Sequence, residues 1–383
     1  MKFSEDREAR WSGRPGPFRL EGELVAAAEA PPAGGASRLR LRASVELFRA
    51  RNGDVYLLRN GEPTEFVVRD PDPDDAALLL GLAERPLEVA AGDEAAQRLA
   101  PLVDAGLVIE EALAARELDG AQRFARQLPY LGEFAEPLEA QRRLRASTVA
   151  VLGCGGLGTW ALGAIASLGV GRLVLVDHDN VELSNLNRQI LYSPADIGTP
   201  KVECAARWVA SFDPAIEVVA HREQVGSAEQ VSSLVRGADA LLQLADWPPY
   251  ELERWVNAAC VELGVAHLSA AQQPPVLRIG PAYVPGVTAC FECQERQIRD
   301  GFPLYDELTE WRRAHVQPAT TLGPASGIVG TLLAMETLHL LLGVPAATQG
   351  RAMVLDMRTL ECEWEDLRRD ASCPVCATAA RRR

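Results

Sequence analysis

A run of glycines, two later cations and one carboxylate carry the strongest chemical signal in this chain. Residues 151–160 read VLGCGGLGTW, in which Gly153, Gly155 and Gly158 fit the spacing G-x-G-x-x-G and Gly156 adds a further glycine. Such a run lets the backbone turn tightly from strand to helix and bring N–H groups against phosphate oxygens. It does not say which nucleotide is bound. Asp177 follows about where a ribose-binding carboxylate stands in a dinucleotide fold. Read alone, the pattern fits a nicotinamide-dependent oxidoreductase as well.

The residues after Asp177 turn the reading away from hydride transfer. DHDNVELSNLNRQILY, residues 177–192, is a dense polar run containing Asp179, Asn185, Asn187, Arg188 and Gln189, and Lys201 opens the next helical pattern. Arg188 and Lys201 are two cations beside a phosphate loop. They suit a triphosphate and can neutralise charge as pyrophosphate departs. Asp246 ends a later apolar run, ADALLQLAD. A lone carboxylate there suits magnesium held between protein and phosphates. Together these groups imply a site for ATP and magnesium.

Alternating elements must position them. STVAVLG reads as a buried strand, GLGTWALGAIASLG as a helix and GRLVLVDHD as a second strand. KVECAARWVASF, AEQVSSLVRG and ELERWVNAACVELG read as helices, and IEVVAH, ADALLQLADW and AHLSAA as strands. This order predicts an α/β fold: a Rossmann-like, mostly parallel sheet with helices on both faces. The polar run then lies at the C-terminal strand ends, where open sheets of this kind bind ligands.

Eight cysteines are present, four of them as Cys290-x-x-Cys293 and Cys373-x-x-Cys376. Two such pairs can surround one zinc ion tetrahedrally, and four thiolates close its coordination shell, so the metal would be structural. Cys154, Cys204 and Cys260 fall in helical or loop contexts that suit packing. No cysteine lies between Cys293 and Cys362, so a covalent enzyme thioester is not expected.

The 383 residues carry a formal net charge of −14, which argues against a nucleic-acid partner. The N-terminus, MKFSEDREARW, lacks an apolar targeting stretch, and the most apolar helical run, from Gly327 to Val344, contains Glu336 and His339. A buried helix is expected there, not a membrane span, and a cytoplasmic location for the chain.

The run Gly153-Cys-Gly-Gly-Leu-Gly158, then D-x-D-x-V-E-x-S-N-L-N-R-Q, then D-I-G-x-x-K-V, resembles the adenylating domain of the ubiquitin-activating-like (ThiF–MoeB) superfamily from about residue 123 onward. The resemblance implies a reaction in which ATP and a carboxylate give an acyl-adenylate and pyrophosphate. It implies Asp177 on the ribose, Asn185, Arg188, Gln189 and Lys201 at the phosphates, Asp246 on magnesium, and a structural zinc. The family often has Asp-Asn where this chain has Asp246-Trp247. The stretch R123-F-A-R126-Q resembles a segment whose second arginine reaches the ATP of a partner subunit, which implies that role for Arg126 and a homodimer.

The N-terminal third differs in kind. Residues 1–38 read as a polar extension. Residues 39–115 combine short apolar runs, broken by Asn52-Gly53 and Asn60-Gly61, with two helical patterns that Asp72 or Asp74 and Gly106 delimit. A winged-helix-like module is expected, with the adenylating domain over 116–383. The run RIGPAYVPGVTACFEC, 278–293, resembles the peptide-modifying, MccB-like branch of the superfamily. That branch implies a clamp that holds a precursor (leader) peptide as an added strand. The expected function is adenylation of a carboxylate or amide on a ribosomally made peptide, with a downstream modifying enzyme as a further partner. Two alternatives are a leader-presenting partner of a separate cyclodehydratase and an activator of a sulfur-carrier protein.

Overall fold

A computed structural model of the chain describes residues 37–42, 45–59, 66–90, 93–110, 122–315 and 320–377. The turn expected at Asn60-Gly61 lies outside them. The chain divides into two units, Met1–Leu138 and Glu139–Arg383.

In the N-terminal unit, β1 (Ser37–Leu41), β2 (Val45–Arg49), β3 (Val55–Arg59), β4 (Phe66–Val68), β5 (Leu87–Val89) and β6 (Val108–Glu110) form two antiparallel sheets of order β5-β1-β6 and β2-β3-β4. Asn52-Gly53 makes the β2–β3 turn, with Gly53 at φ +95°. The first helix, Pro73–Glu84, starts where the Asp72 carboxylate accepts from the N–H groups of Asp74 and Asp75, at 3.0 and 2.8 Å. The second, Glu94–Asp104, follows Asp93, and Gly106 (φ +66°) turns the chain away from it. Arg98 reaches from the second helix to the buried Asp75 of the first, at 2.6 Å. Leu57, Leu79, Leu99, Leu102 and Leu107 fill the small core.

The C-terminal unit is built on one eight-stranded sheet. Its strands are β7 (Thr148–Leu152), β8 (Arg172–Val176), β9 (Glu217–His221), β10 (Ala240–Gln243), β11 (Ala266–Gln273), β12 (Val276–Tyr283), β13 (Arg351–Asp356) and β14 (Cys362–Asp366). Their order is β14-β13-β12-β11-β10-β7-β8-β9. Pairing is parallel from β11 to β9 and antiparallel from β11 to β14. The strand order reverses between β7 and β10, and a ligand crevice of an open α/β sheet opens at such a point.

Alternation along β7 shows how both faces are covered. Val149 and Val151 pack with the helices Gly156–Leu168, Lys201–Phe212 and Gly323–Leu342. Ala150 and Leu152 pack with Ala228–Val235 and Glu251–Leu263 on the other face. Each fully buried aliphatic side chain here, such as Leu162 or Ile165, contributes about 1.5–3 kcal/mol. The helix Gly323–Leu342 is long and apolar enough to cross a membrane. In this fold it belongs to the core, with Gly330 so close to Trp160 that a Cβ there would stand 2.7 Å from the Trp160 Cβ. Its buried Glu336 accepts from the Thr348 N–H and hydroxyl, both at 2.6 Å.

Candidate nucleotide site

The glycine turn leaves the end of β7 at the switch point. Gly153 takes φ +102°, and a Cβ on it would lie 2.6 Å from the Ala245 nitrogen, so a side chain is excluded there. Gly158 sits where a Cβ would lie 2.0 Å from the Gly153 carbonyl oxygen, and it lets the turn close. At Gly155 a Cβ would meet only the Gln189 amide, at 3.9 Å. Packing does not require that glycine; its missing side chain leaves space in the cavity it lines. Gly156 brings the turn against the Arg188 side chain.

The cavity measures about 680 Å³ and is lined by Gly153, Gly155 and Gly156, by Asp177 and Asp179, by Arg188, Gln189 and Lys201, and by Asp246. Residues far apart in the chain thus meet at the C-terminal ends of β7, β8 and β10. Gly158 and Asn185 do not line it. Asn185 is buried and its side-chain oxygen accepts from the Glu182 N–H at 3.1 Å, shaping the loop that carries Arg188. Arg126 is exposed in the N-terminal unit, on the turn after Gln122–Phe124.

Asp177 organises the turn as well as facing the cavity. One of its oxygens accepts the Cys154 N–H at 2.7 Å and the other the Asp179 N–H at 2.8 Å. The Tyr192 hydroxyl donates to the Cys154 carbonyl at 2.7 Å and supports the turn from below. Lys201, the first residue of its helix, is buried and holds its ammonium 2.8 Å from Asp179. Arg188 donates to the Ser184 carbonyl at 2.8 Å and to Asn187 at 3.0 Å. The buried Gln189 Oε1 has no hydrogen-bond partner among the described residues. Open space at Gly155 and two cations fit a phosphate-bearing ligand, and the exposed Asp246 carboxylate fits the magnesium that accompanies it.

Sequence reasoning missed Glu253. It stands in the first turn of the helix Glu251–Leu263, lines the cavity, and has one buried oxygen, Oε2, without a partner. Burial, reinforced by the nearby charges of Asp246 and Glu295, pushes its carboxyl up to about 7. Nothing in ELERWV distinguishes it from an ordinary surface carboxylate, because its burial comes from elements distant in sequence.

The four paired cysteines converge. Sγ–Sγ separations are 3.9 Å for Cys290–Cys293, 3.7 Å for Cys290–Cys373 and 3.5 Å for Cys293–Cys376. A tetrahedral zinc with bonds of about 2.3 Å needs edges of roughly 3.8 Å, so the buried thiols fit that ion. Cys154 is fully buried, and burial beside Asp177 holds its thiol well above the ordinary range. Such a thiol packs and does not act as a nucleophile.

Fold and site together define a nucleotide-dependent enzyme of the open α/β class. Residues 124–376, about two-thirds of the chain, match the ThiF family, and the chain belongs to this family of adenylyltransferases. Among curated proteins, the heterocyst protein HesA of Trichormus variabilis is 33% identical over 261 residues, covering 68% of this chain and 90% of its own. The sulfur carrier protein ThiS adenylyltransferase of Escherichia coli is 33% identical over 254 residues, covering 66% and 94%. The E. coli molybdopterin-synthase adenylyltransferase is 30% identical over 238 residues, covering 62% and 90%. Among solved structures, E. coli MccB with ATP matches at a TM-score of 0.69 and 22% identity over 88% of this chain and 99% of that one. MccB with MccA-N7isoASN matches at 0.70 and 20% identity over the same shares. At these identities the structural matches establish a shared fold.

Proposed function

We propose that this enzyme uses ATP to adenylate a carboxylate or amide of a ribosomally made peptide. The observation that carries this reading is that Gly155, Asp177, Arg188, Lys201 and Asp246 line one cavity. ATP lies with its phosphates along the glycine turn and its ribose at Asp177. An oxygen of the acyl substrate attacks the α-phosphorus, the bond to the bridging oxygen breaks, and pyrophosphate leaves. Asn185, Gln189, Arg188 and Lys201 serve the phosphates, directly or by shaping the loop, and the two cations offset the charge that develops. Magnesium, held by Asp246, would supply further neutralisation. In a cytoplasmic homodimer, Arg126 of one subunit reaches the phosphates in the other. The four cysteines would hold a structural zinc.

The peptide reading draws on the N-terminal unit. The curated relatives share about two-thirds of the chain, whereas the fold shared with MccB extends over 88% of it. Two small antiparallel sheets offer edge strands to which a leader peptide can add by main-chain hydrogen bonds. The identity of the curated relatives favours a second reading, activation of a sulfur-carrier protein. Pyrophosphate release stimulated by a short precursor peptide, and not by a carrier ending in Gly-Gly, supports the first; the reverse preference supports the second.

A further inference from the structure

The cavity extends past the glycine turn to a region lined by Ser269 and Gln272 of β11, by Arg278 and Tyr283 of β12, and by Phe291 and Gln294 of the helix Phe291–Gly301. The roles assigned above leave this end without an occupant. Gln294 is its best-fixed polar group. The residue before it is the buried Cys293 of the four-cysteine knuckle. The residue after it is Glu295, fully buried and paired with Arg254 through two hydrogen bonds of 2.9 and 3.0 Å. The Gln294 N–H donates to the Cys290 carbonyl at 3.1 Å.

The Gln294 side chain is oriented too. The Tyr283 hydroxyl donates to its Oε1. Tyr283 is buried, its ring stacked at 4.6 Å on His267 and set edge-on to Phe291 at 6.5 Å. Burial holds the phenol well above its ordinary range, so it remains a donor. With Oε1 engaged, the Nε2 amide protons are the free end of the group.

Resting on the adenylation reading above, we propose that Gln294 is a substrate-binding residue whose Nε2 donates to the acyl carbonyl oxygen of the adenylate, with Tyr283 as the residue that orients it. The cysteine knuckle then has a second consequence beyond stability, because it fixes the backbone that carries this donor. A carbonyl oxygen is common to every acyl-adenylate, so the contact reads the acyl group whatever peptide bears it.

The test compares two probes by isothermal titration: 5′-O-sulfamoyladenosine and its N-glycyl derivative, a stable analogue of an acyl-adenylate. Wild-type protein should bind the glycyl compound more tightly. In Gln294→Ala that advantage should fall about tenfold, as for one lost hydrogen bond in a partly dry site, while sulfamoyladenosine affinity stays within about twofold. Gln294→Glu, which keeps the size and the helix, should lose the advantage as well, and Tyr283→Phe should reduce it. Zinc content and far-ultraviolet circular dichroism report whether each variant is folded. An unchanged advantage in a folded Gln294 variant, an equal loss for both probes, or no advantage in the wild type overturns the proposal. Failure of the wild type to bind either probe overturns the nucleotide site as well, and so is distinct from failure of Gln294 alone.

Discussion

The Lys201 ammonium lies 2.8 Å from the Asp179 carboxylate, and only 8% of the Lys201 side chain is exposed. A charge this sheltered, on the wall of the cavity, is worth more to an incoming phosphate than a surface lysine would be. Lys201→Met should weaken ATP binding by roughly 10- to 100-fold, the loss expected for one charge-assisted hydrogen bond. Calorimetric titration with ATP measures it. An unchanged affinity would mean that the ammonium serves Asp179 alone.

Gly155→Ala separates binding from folding. The added methyl group meets no protein atom closer than the Gln189 amide at 3.9 Å, and it projects into the cavity. ATP affinity should fall about tenfold or more, with Tm unchanged to within about 2 °C. Gly158→Ala should behave in the opposite way, because its Cβ would stand 2.0 Å from the Gly153 carbonyl oxygen and force the turn apart. A large drop in Tm for Gly155→Ala would show that packing, not ligand space, selects that glycine.

Asp177 ties local structure to function. Its two oxygens accept the N–H groups of Cys154 and Asp179. Asp177→Ala should therefore cost about 1–3 kcal/mol of stability even without ATP. In a unit of this size that is a fall in Tm of roughly 2–10 °C, measurable by scanning calorimetry. Loss of ATP binding with full stability would assign Asp177 to the ligand only.

Much of this site was legible in the sequence, for physical reasons. The glycine spacing, the polar run at 177–192 and the paired cysteines are local patterns, and the helix Lys201–Phe212 spans the same twelve residues that its apolar periodicity marks. The Asp72 cap likewise follows from a residue type at a fixed offset. Glu253 and Gln294 were not legible. Their significance depends on burial and on partners that the sheet order brings together: Asp246 and Glu295 around the first, Tyr283 beside the second.

Glu253 also sets a pH dependence. Its carboxyl is raised from 4.5 to about 7 in the folded state, chiefly by burial. The folded protein thus holds this proton more tightly than the unfolded chain. The corresponding stabilisation, on the order of 3 kcal/mol, is complete below pH 4.5 and is lost as pH rises through 7. Glu253→Gln carries no such proton. Its Tm should exceed that of the wild type at pH 8 by several degrees more than at pH 5. Parallel Tm–pH profiles for the two proteins would contradict this assignment.

The central claim is that the cavity beside the glycine turn cleaves ATP between its α- and β-phosphates on behalf of an acyl substrate. Nucleotide products, resolved by phosphorus NMR after incubation with magnesium, ATP and a short candidate precursor peptide, test it directly. The account predicts one pyrophosphate for every adenylyl group formed, whether that group stays on the peptide as the acyl-adenylate or is released from it as AMP by hydrolysis, with formation reduced at least 100-fold in Asp246→Ala, as for loss of a charge-neutralising group at a transition state. Formation of ADP and phosphate, or binding of the peptide with ATP left unconsumed, would contradict it.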